Sequence, residues 1–210
     1  MSAVSMLPVM VLAPTLYPGA RVLDVCSAPG NKTMQLLERV TPPGGAGGEG
    51  GGESGLVVAN DAHPQRVKTL QDALARHCRR AAELESLVIT CAMGQDIPLP
   101  EFDADSRGGR AGATGSGAAE AGAGATGSGA EGAVRGFDAV LVDVPCSGDG
   151  TVRKDPDVLR RWHPGGGNAL HGTQLAVARR AAALVRPGGA LLYSTCSLNP
   201  VVWRCTLTPN

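Results

Sequence analysis

Two cysteines lie in short polar segments that each follow an apolar run. The segments are Asp143-Val144-Pro145-Cys146-Ser147-Gly148-Asp149-Gly150-Thr151 and Ser194-Thr195-Cys196-Ser197-Leu198-Asn199-Pro200. A single cysteine is usually a small core hydrophobe, and Cys26, Cys78 and Cys91 read that way. Two cysteines delivered to the ends of two different strands, beside Asp143, are more than packing asks for. They point to thiol chemistry, in which the thiolate is the reactive form. A third segment, Asp24–Thr33 (DVCSAPGNKT), puts small residues and a glycine where a strand turns into a helix. Such a turn is either a plain tight turn or a place where backbone approaches a ligand at the positive end of a helix. It is a poor phosphate loop, because Asn31 separates Gly30 from Lys32. Asn60-Asp61 ends the next apolar run, where an acidic residue grips a nucleotide ribose in doubly wound folds. Together the two features suggest an adenosine-containing cofactor.

The elements that must position these residues can be read from hydrophobic patterning. Five near-continuous apolar runs read as strands covered on both faces: 21–26, 56–61, 87–90, 137–145 and 190–196. Helical periodicity fills the gaps at 32–40, 65–84 and 170–185. The middle one carries Val67, Leu70, Leu74 and Cys78 on one stripe. Arg186-Pro187-Gly188-Gly189 reads as a helix-ending signal. Strand alternating with helix predicts an α/β fold with a parallel sheet, and ligands of such sheets sit at the carboxyl ends of the strands.

The chain has 210 residues, a one-domain length, with 19 basic and 19 acidic side chains. Zero net charge excludes a coat that grips nucleic acid by bulk charge, though a local patch is still compatible with it. Of 30 glycines, 8 fall in residues 41–55 and 11 in 103–136. These two stretches read as flexible inserts in an ordinary globular core. GATGSGA occurs twice in the second, at 112–118 and 124–130, with nothing in it to bury. The GxGxxG at 122–127 follows no strand and opens no helix, so it is not a dinucleotide site. The cysteines form no CxxC and no zinc spacing, which predicts reduced thiols, an intracellular protein and no metal. No run of 18 apolar residues predicts a membrane span.

DVCSAPGNKT, DVPCSGDGT and STCSLNP resemble three signature motifs of the RNA 5-methylcytosine methyltransferases of the NOL1/NOP2/Sun (NSUN) family. RKDPDV at 153–158, the tryptophan of RRWHP at 160–164 and the lead-in Met6-Leu7-Pro8 resemble its eukaryotic tRNA-methylating branch. The likeness covers nearly the whole chain outside the two inserts. It implies a Rossmann-like class I methyltransferase that uses S-adenosylmethionine to methylate cytosine C5 in RNA, most often tRNA. It also implies roles. Cys196 is the nucleophile, and Cys146 assists the elimination that frees the RNA. Asp143 is catalytic, facing the cytosine. Cys26, Ser27, Ala28, Pro29, Gly30, Asn31, Lys32, Asp61 and Asp143 line the cofactor pocket. The family's further aspartate after the third strand aligns with Met93, with Asp96 the nearest substitute. The implied compartment is nucleus or nucleolus ahead of cytoplasm.

The chemistry suits these roles. Cytosine C5 is a poor nucleophile until a thiolate adds at C6, which makes C5 enamine-like. A carboxyl group beside the base steadies charge at N3, and a second group must take the C5 proton before the thiol leaves. Arg153, Lys154, Arg160 and Arg161 form the local basic cluster, read either as an RNA-contacting edge centred on Arg153 and Lys154 or as a solvated helix face. Trp162 reads as a packing anchor, and His163 and His171 as surface or structural residues. Past Pro200 the family likeness ends, so the sequence reads as a truncated core whose sheet is incomplete, with the fifth strand an exposed edge. Two rival readings remain open at this level: an inactive fragment that binds RNA or a partner, and a methyltransferase of another substrate without a covalent step.

Overall fold

The computed structural model describes residues 3–42, 53–78, 81–102 and 134–203. In chain order its elements are α1 (Leu7–Leu12), β1 (Arg21–Asp24), α2 (Asn31–Val40), β2 (Leu56–Asp61), α3 (Pro64–His77) and α4 (Ala81–Glu85). Then come β3 (Leu87–Cys91), β4 (Glu101–Phe102), β5 (Val134–Arg135), β6 (Phe137–Asp143), α5 (Val158–Arg161), α6 (Pro164–Leu184), β7 (Val185–Ser194) and α7 (Pro200–Trp203). Five strands form one sheet in the order β3-β2-β1-β6-β7, every pair parallel. The predicted parallel α/β fold is therefore what the chain adopts.

Alternation along the strands explains the layering. Val22, Val57, Ala59, Ala139 and Leu141 point to one face, where they pack on Leu36, Leu37 and Val40 of α2 and Leu70 and Leu74 of α3. Their neighbours Leu23, Val140 and Val142 point to the other, onto Val177, Ala181 and Leu184 of α6. Helix α2 buries Thr33, Leu36, Leu37 and Val40, an i, i+3, i+4, i+7 stripe. No helix among the described residues is long and apolar enough to cross a membrane.

Several boundaries differ from the sequence reading. The 65–84 helix is split: α3 ends at His77, and Cys78 is its extended C-cap. Helix α6 starts six residues earlier than its periodicity suggests, at Pro164, despite three glycines that each cost roughly 1 kcal/mol relative to alanine. Proline at the first position and the His163 ring, which accepts the Gly165 N–H at 3.0 Å, secure that start. Arg186–Gly189 does end a helix, but it lies inside β7. Pairing jumps from Phe137↔Val185 to Ala139↔Ala190, so the four residues bulge out of the ladder. The first glycine-rich stretch is described only at its edges, and 43–52 lie outside the described residues. In the second, 103–133 lie outside them, including both GATGSGA copies. Val134–Arg135 is not loop but pairs antiparallel with Glu101–Phe102.

Candidate active site

The strand order reverses between β1 and β6, the switch point where open α/β sheets bind ligands. There the carboxyl ends of β1, β6 and β7 surround a cavity of about 790 Å³. From the first loop it is lined by Asp24, Cys26, Ser27, Ala28, Pro29, Asn31 and Lys32. Asp143 lines it from β6, Arg153 and Lys154 from the following loop, and Ser194, Thr195 and Cys196 from β7.

Buried polar residues hold the first loop in shape. Asn60, fully buried, donates to the carbonyls of Val25 and Ala92 and accepts from Thr90 Oγ1 and the Ala92 N–H, at 2.9–3.0 Å. One side chain thus knits the ends of β1, β2 and β3. Ser27 returns both its N–H and its hydroxyl to the Asn60 carbonyl at 2.8 Å. Gly30, at φ +105°, starts α2 in a left-handed conformation that a side chain rarely adopts, and a Cβ there would meet Leu70 at 2.9 Å.

Two carboxylates stand on the cavity wall. Asp143 takes Lys32 Nζ at 2.5 Å on one oxygen and Ser194 Oγ at 2.8 Å on the other. Asp24 is 1% exposed. Its Oδ2 accepts from Thr33 at 2.8 Å, while Oδ1 is buried with no hydrogen-bond partner. Burial pushes Asp24 up to about 7, against the lowering effects of Thr33 and Lys32.

The two cysteines meet. Cys146 Sγ lies 3.1 Å from Cys196 Sγ. They share protons unequally. The hydrogen bond from Cys196 lowers Cys146 to about 6, against burial, with help from Thr195 and the Gly148 N–H. The same contact, burial and nearby Asp143 drive Cys196 upward. At 3.1 Å the two sulfurs are close enough to share a proton, and they titrate as a pair. By contrast, burial pushes Cys26 up to about 12, where it is inert as a thiol.

A clasp unnoticed in the sequence reading aligns the two cysteine loops. Asp149, buried, accepts from Ser147 Oγ and from Ser197 Oγ (2.9 Å) on one oxygen and from the Leu198 N–H (2.7 Å) on the other. The two serine hydroxyls also meet at 2.8 Å. Burial alone would raise Asp149, but these donors outweigh it and hold it below the usual carboxylate range. The Gly150 N–H reaches the Cys196 carbonyl at 2.8 Å, and a Cβ on Gly150 would stand 2.5 Å from that oxygen. From α6, Gln174 donates to the Pro145 carbonyl at 2.8 Å, fixing the residue before Cys146. Serines and an aspartate near a cysteine give no spacing signal for this. Only the register of β6 against β7 brings them together.

Other expected site residues are placed as follows. Asp61, outside the cavity lining, is buried under the first loop, accepting from the Ala28 N–H at 3.2 Å and pairing with Arg66 at 3.1 Å. Gly30 shapes the loop without lining the cavity, and Cys146 touches the site through Cys196 rather than forming its wall. Asp96, in the turn Gly94–Asp96, and Met93 are both exposed and outside the cavity wall, so Asp96 does not take the position expected of an aspartate there. The basic cluster divides. Arg153 and Lys154 face the cavity, whereas Arg160 pairs with Asp157 at 3.4 Å and Arg161 with Asp155 at 2.8 Å. His163 has a structural role, as the cap of α6.

Residues 124–202 match a family model described as 16S rRNA methyltransferase RsmB/F. Over 199 residues the chain is 35% identical to a tRNA (cytosine(34)-C(5))-methyltransferase of Drosophila melanogaster, covering 95% of this chain and 22% of that protein. It is 34% identical over 197 residues to ribosomal RNA small subunit methyltransferase F of Escherichia coli O139:H28, covering 94% of this chain and 31% of that one. A crystal structure of a methyltransferase homologue from Pyrococcus horikoshii superposes with a TM-score of 0.56 at 23% identity, over 96% of this chain and 47% of that chain. The chain thus spans between a fifth and a third of the length of these two curated relatives. With the three motifs converging on one cavity, the chain is similar over most of its length to RNA cytosine-C5 methyltransferases of the RsmB/F (NOL1/NOP2/Sun) family.

Proposed function

We propose that this chain is the catalytic core of an S-adenosylmethionine-dependent enzyme that methylates cytosine C5 in RNA through a covalent cysteine adduct, with tRNA as its substrate. The observation that carries the reading is the 3.1 Å pair of Cys146 and Cys196, set beside Asp143 at the ends of neighbouring strands.

The cavity fits the family's cofactor. Its volume lies in the range of small-molecule sites. Residues 26–32 wrap the start of α2, and the unpartnered Asp24 Oδ1 calls for a donor such as an ammonium group. Asp24, Cys26–Asn31 and Lys32 would hold S-adenosylmethionine, which supplies an electrophilic methyl group to C5. Asp61 and Arg66 brace that loop from behind.

The protein's own residues do the rest. As Cys196 Sγ bonds to C6, its proton passes to the Cys146 thiolate. The C5–C6 pair shifts to C4–C5, and the C4–N3 pair moves onto N3, which takes a proton from solvent and gives it back once C5 has bonded to the methyl group and the C4–N3 double bond re-forms. Asp143, held by Lys32 and Ser194, accepts hydrogen bonds from the amino group and the protonated N3. Cys146 gives its acquired proton to solvent and is again a base. Once C5 carries the methyl group, removal of the C5 proton restores the C5–C6 double bond and expels the Cys196 thiolate. Arg153 and Lys154 at the mouth suit the flanking phosphates.

Incubation with labelled S-adenosylmethionine and tRNA, followed by nucleoside analysis, tests this reading. It predicts 5-methylcytidine with the native protein and none with Cys196→Ala. Methyl transfer that survives Cys196→Ala would favour a route without a covalent step, and binding without turnover would favour an inactive core. Ribosomal RNA is the second substrate reading, favoured by the family model and the Escherichia coli relative.

A further inference from the structure

A second, smaller cavity of about 160 Å³ lies on the segment that follows Cys146. It is lined by Ser147, Val158, Arg161, Trp162, His163 and Gly166. Ser197 lines the large cavity and Ser147 the small one, and their hydroxyls are 2.8 Å apart. The two cavities are thus linked by one hydrogen bond between a lining residue of each, on the loop that carries Cys146.

The chemistry of the small cavity is that of a single flat ring. Its volume falls well below the roughly 300 Å³ at which sites for larger ligands begin. Its wall has an indole, an imidazole, a guanidinium and a hydroxyl, but no carboxylate. Trp162, read from sequence as a packing anchor, is 49% exposed. Arg161, in the same wall, is held by Asp155 at 2.8 Å. An exposed aromatic face beside hydrogen-bonding edges is what an unstacked nucleobase binds.

We propose that this cavity is a nucleobase subsite. It takes a base adjacent to the target cytosine in the RNA strand, stacks it on Trp162, and so sets sequence preference and register at the catalytic pair. The inference rests on the RNA-methylation reading and adds a residue and a place to it.

A double cycle tests it on the RNA that the protein methylates. The native protein, Trp162→Ala and Trp162→Phe are assayed for kcat/KM on that RNA and on versions abasic at each position flanking the cytosine. Stacking one base is expected to make Trp162→Ala roughly 5- to 150-fold poorer on intact RNA. Trp162→Phe keeps most of the activity. On the RNA abasic at one flanking position, Trp162→Ala costs nothing further. Equal losses on intact RNA and on every abasic RNA would overturn the subsite. The second readout needs no turnover: 2-aminopurine at the same position is quenched by the native protein and not by Trp162→Ala. Quenching without methylation would sink the reaction reading and keep the subsite. Methylation with neither coupling nor quenching would sink the subsite and keep the reaction.

Discussion

Replacing Asp149 should disable the site more than it disables the fold. Its carboxylate receives Ser147, Ser197 and the Leu198 N–H, and so joins the Cys146 loop to the Cys196 loop. A hydrogen bond to a charged group contributes about 1.5–3 kcal/mol, and a donor left unpaired in a buried place costs about 1–3 kcal/mol. In Asp149→Ala the two serines can still bond each other at 2.8 Å, so the net loss falls chiefly on the Leu198 N–H and on the lost charge. Together these predict a stability loss of about 2–4 kcal/mol. Asp149→Asn can turn its oxygen toward Leu198 and its amide toward the serine oxygens, so its loss should be about half as large. The effect on the reaction is geometric. Loosening the clasp lets the two sulfurs part from 3.1 Å, and a displacement near 1 Å costs on the order of 100-fold in rate. The cofactor loop is built from other residues and should keep its affinity. Denaturant unfolding, kcat and S-adenosylmethionine affinity of both variants test this together. An Asp149→Ala protein with kcat within twofold of native, or with rate and cofactor affinity falling equally, would refute the clasp.

Three further outcomes are expected. Asp24, raised by burial to about 7, must ionise to accept an ammonium donor, so cofactor binding should release a proton and strengthen as pH rises from about 5 to 7. Calorimetry in buffers of different ionisation enthalpy should show that proton, and Asp24→Asn should abolish both it and the pH dependence; a pH-independent affinity in the native protein would rule this out. Iodoacetamide labelling of Cys146 should be half-maximal near pH 6, and Cys196→Ala should shift it upward because the donated hydrogen bond is lost; an unshifted profile would mean that the two thiols do not interact. At the opposite end of the sheet, Asp138 accepts from Tyr17 (2.9 Å), the Arg21 N–H (2.7 Å) and Arg186 (2.6 Å), donors that outweigh its burial and lower its pKa. Asp138→Ala should cost about 2–4 kcal/mol. Because the folded-state pKa is depressed, the native contribution should be complete above roughly pH 4 and fade as pH falls below it, so native and variant unfolding curves should converge in acid.

The sheet was legible because buried parallel strands are long apolar runs, and each of the five runs overlaps one of its strands. The first loop and the two cysteines were legible because their types and spacing carry chemistry. What escaped was set by tertiary contact. Nothing local marks Asp149 as a clasp, Gln174 as the support of Pro145, or Asn60 as the knot of three strand ends. Asp61 had the right type at the right strand end, yet Arg66 and the Ala28 N–H occupy it. The start of α6 was hidden by its glycines, which periodicity discounts and a histidine cap overrides. The bulge at Arg186–Gly189 was read as punctuation, when it also brings Arg186 to Asp138.

Trapping the covalent adduct tests the central claim most directly. The Cys146→Ala protein, incubated with S-adenosylmethionine and tRNA, should accumulate a protein–RNA species that survives denaturing electrophoresis, with the RNA mapped by mass spectrometry to Cys196 and to C6 of a 5-methylated cytosine. The double variant Cys146→Ala, Cys196→Ala should form none. A Cys146→Ala protein that turns over freely without an adduct, or an adduct mapped to any residue other than Cys196, would contradict the account.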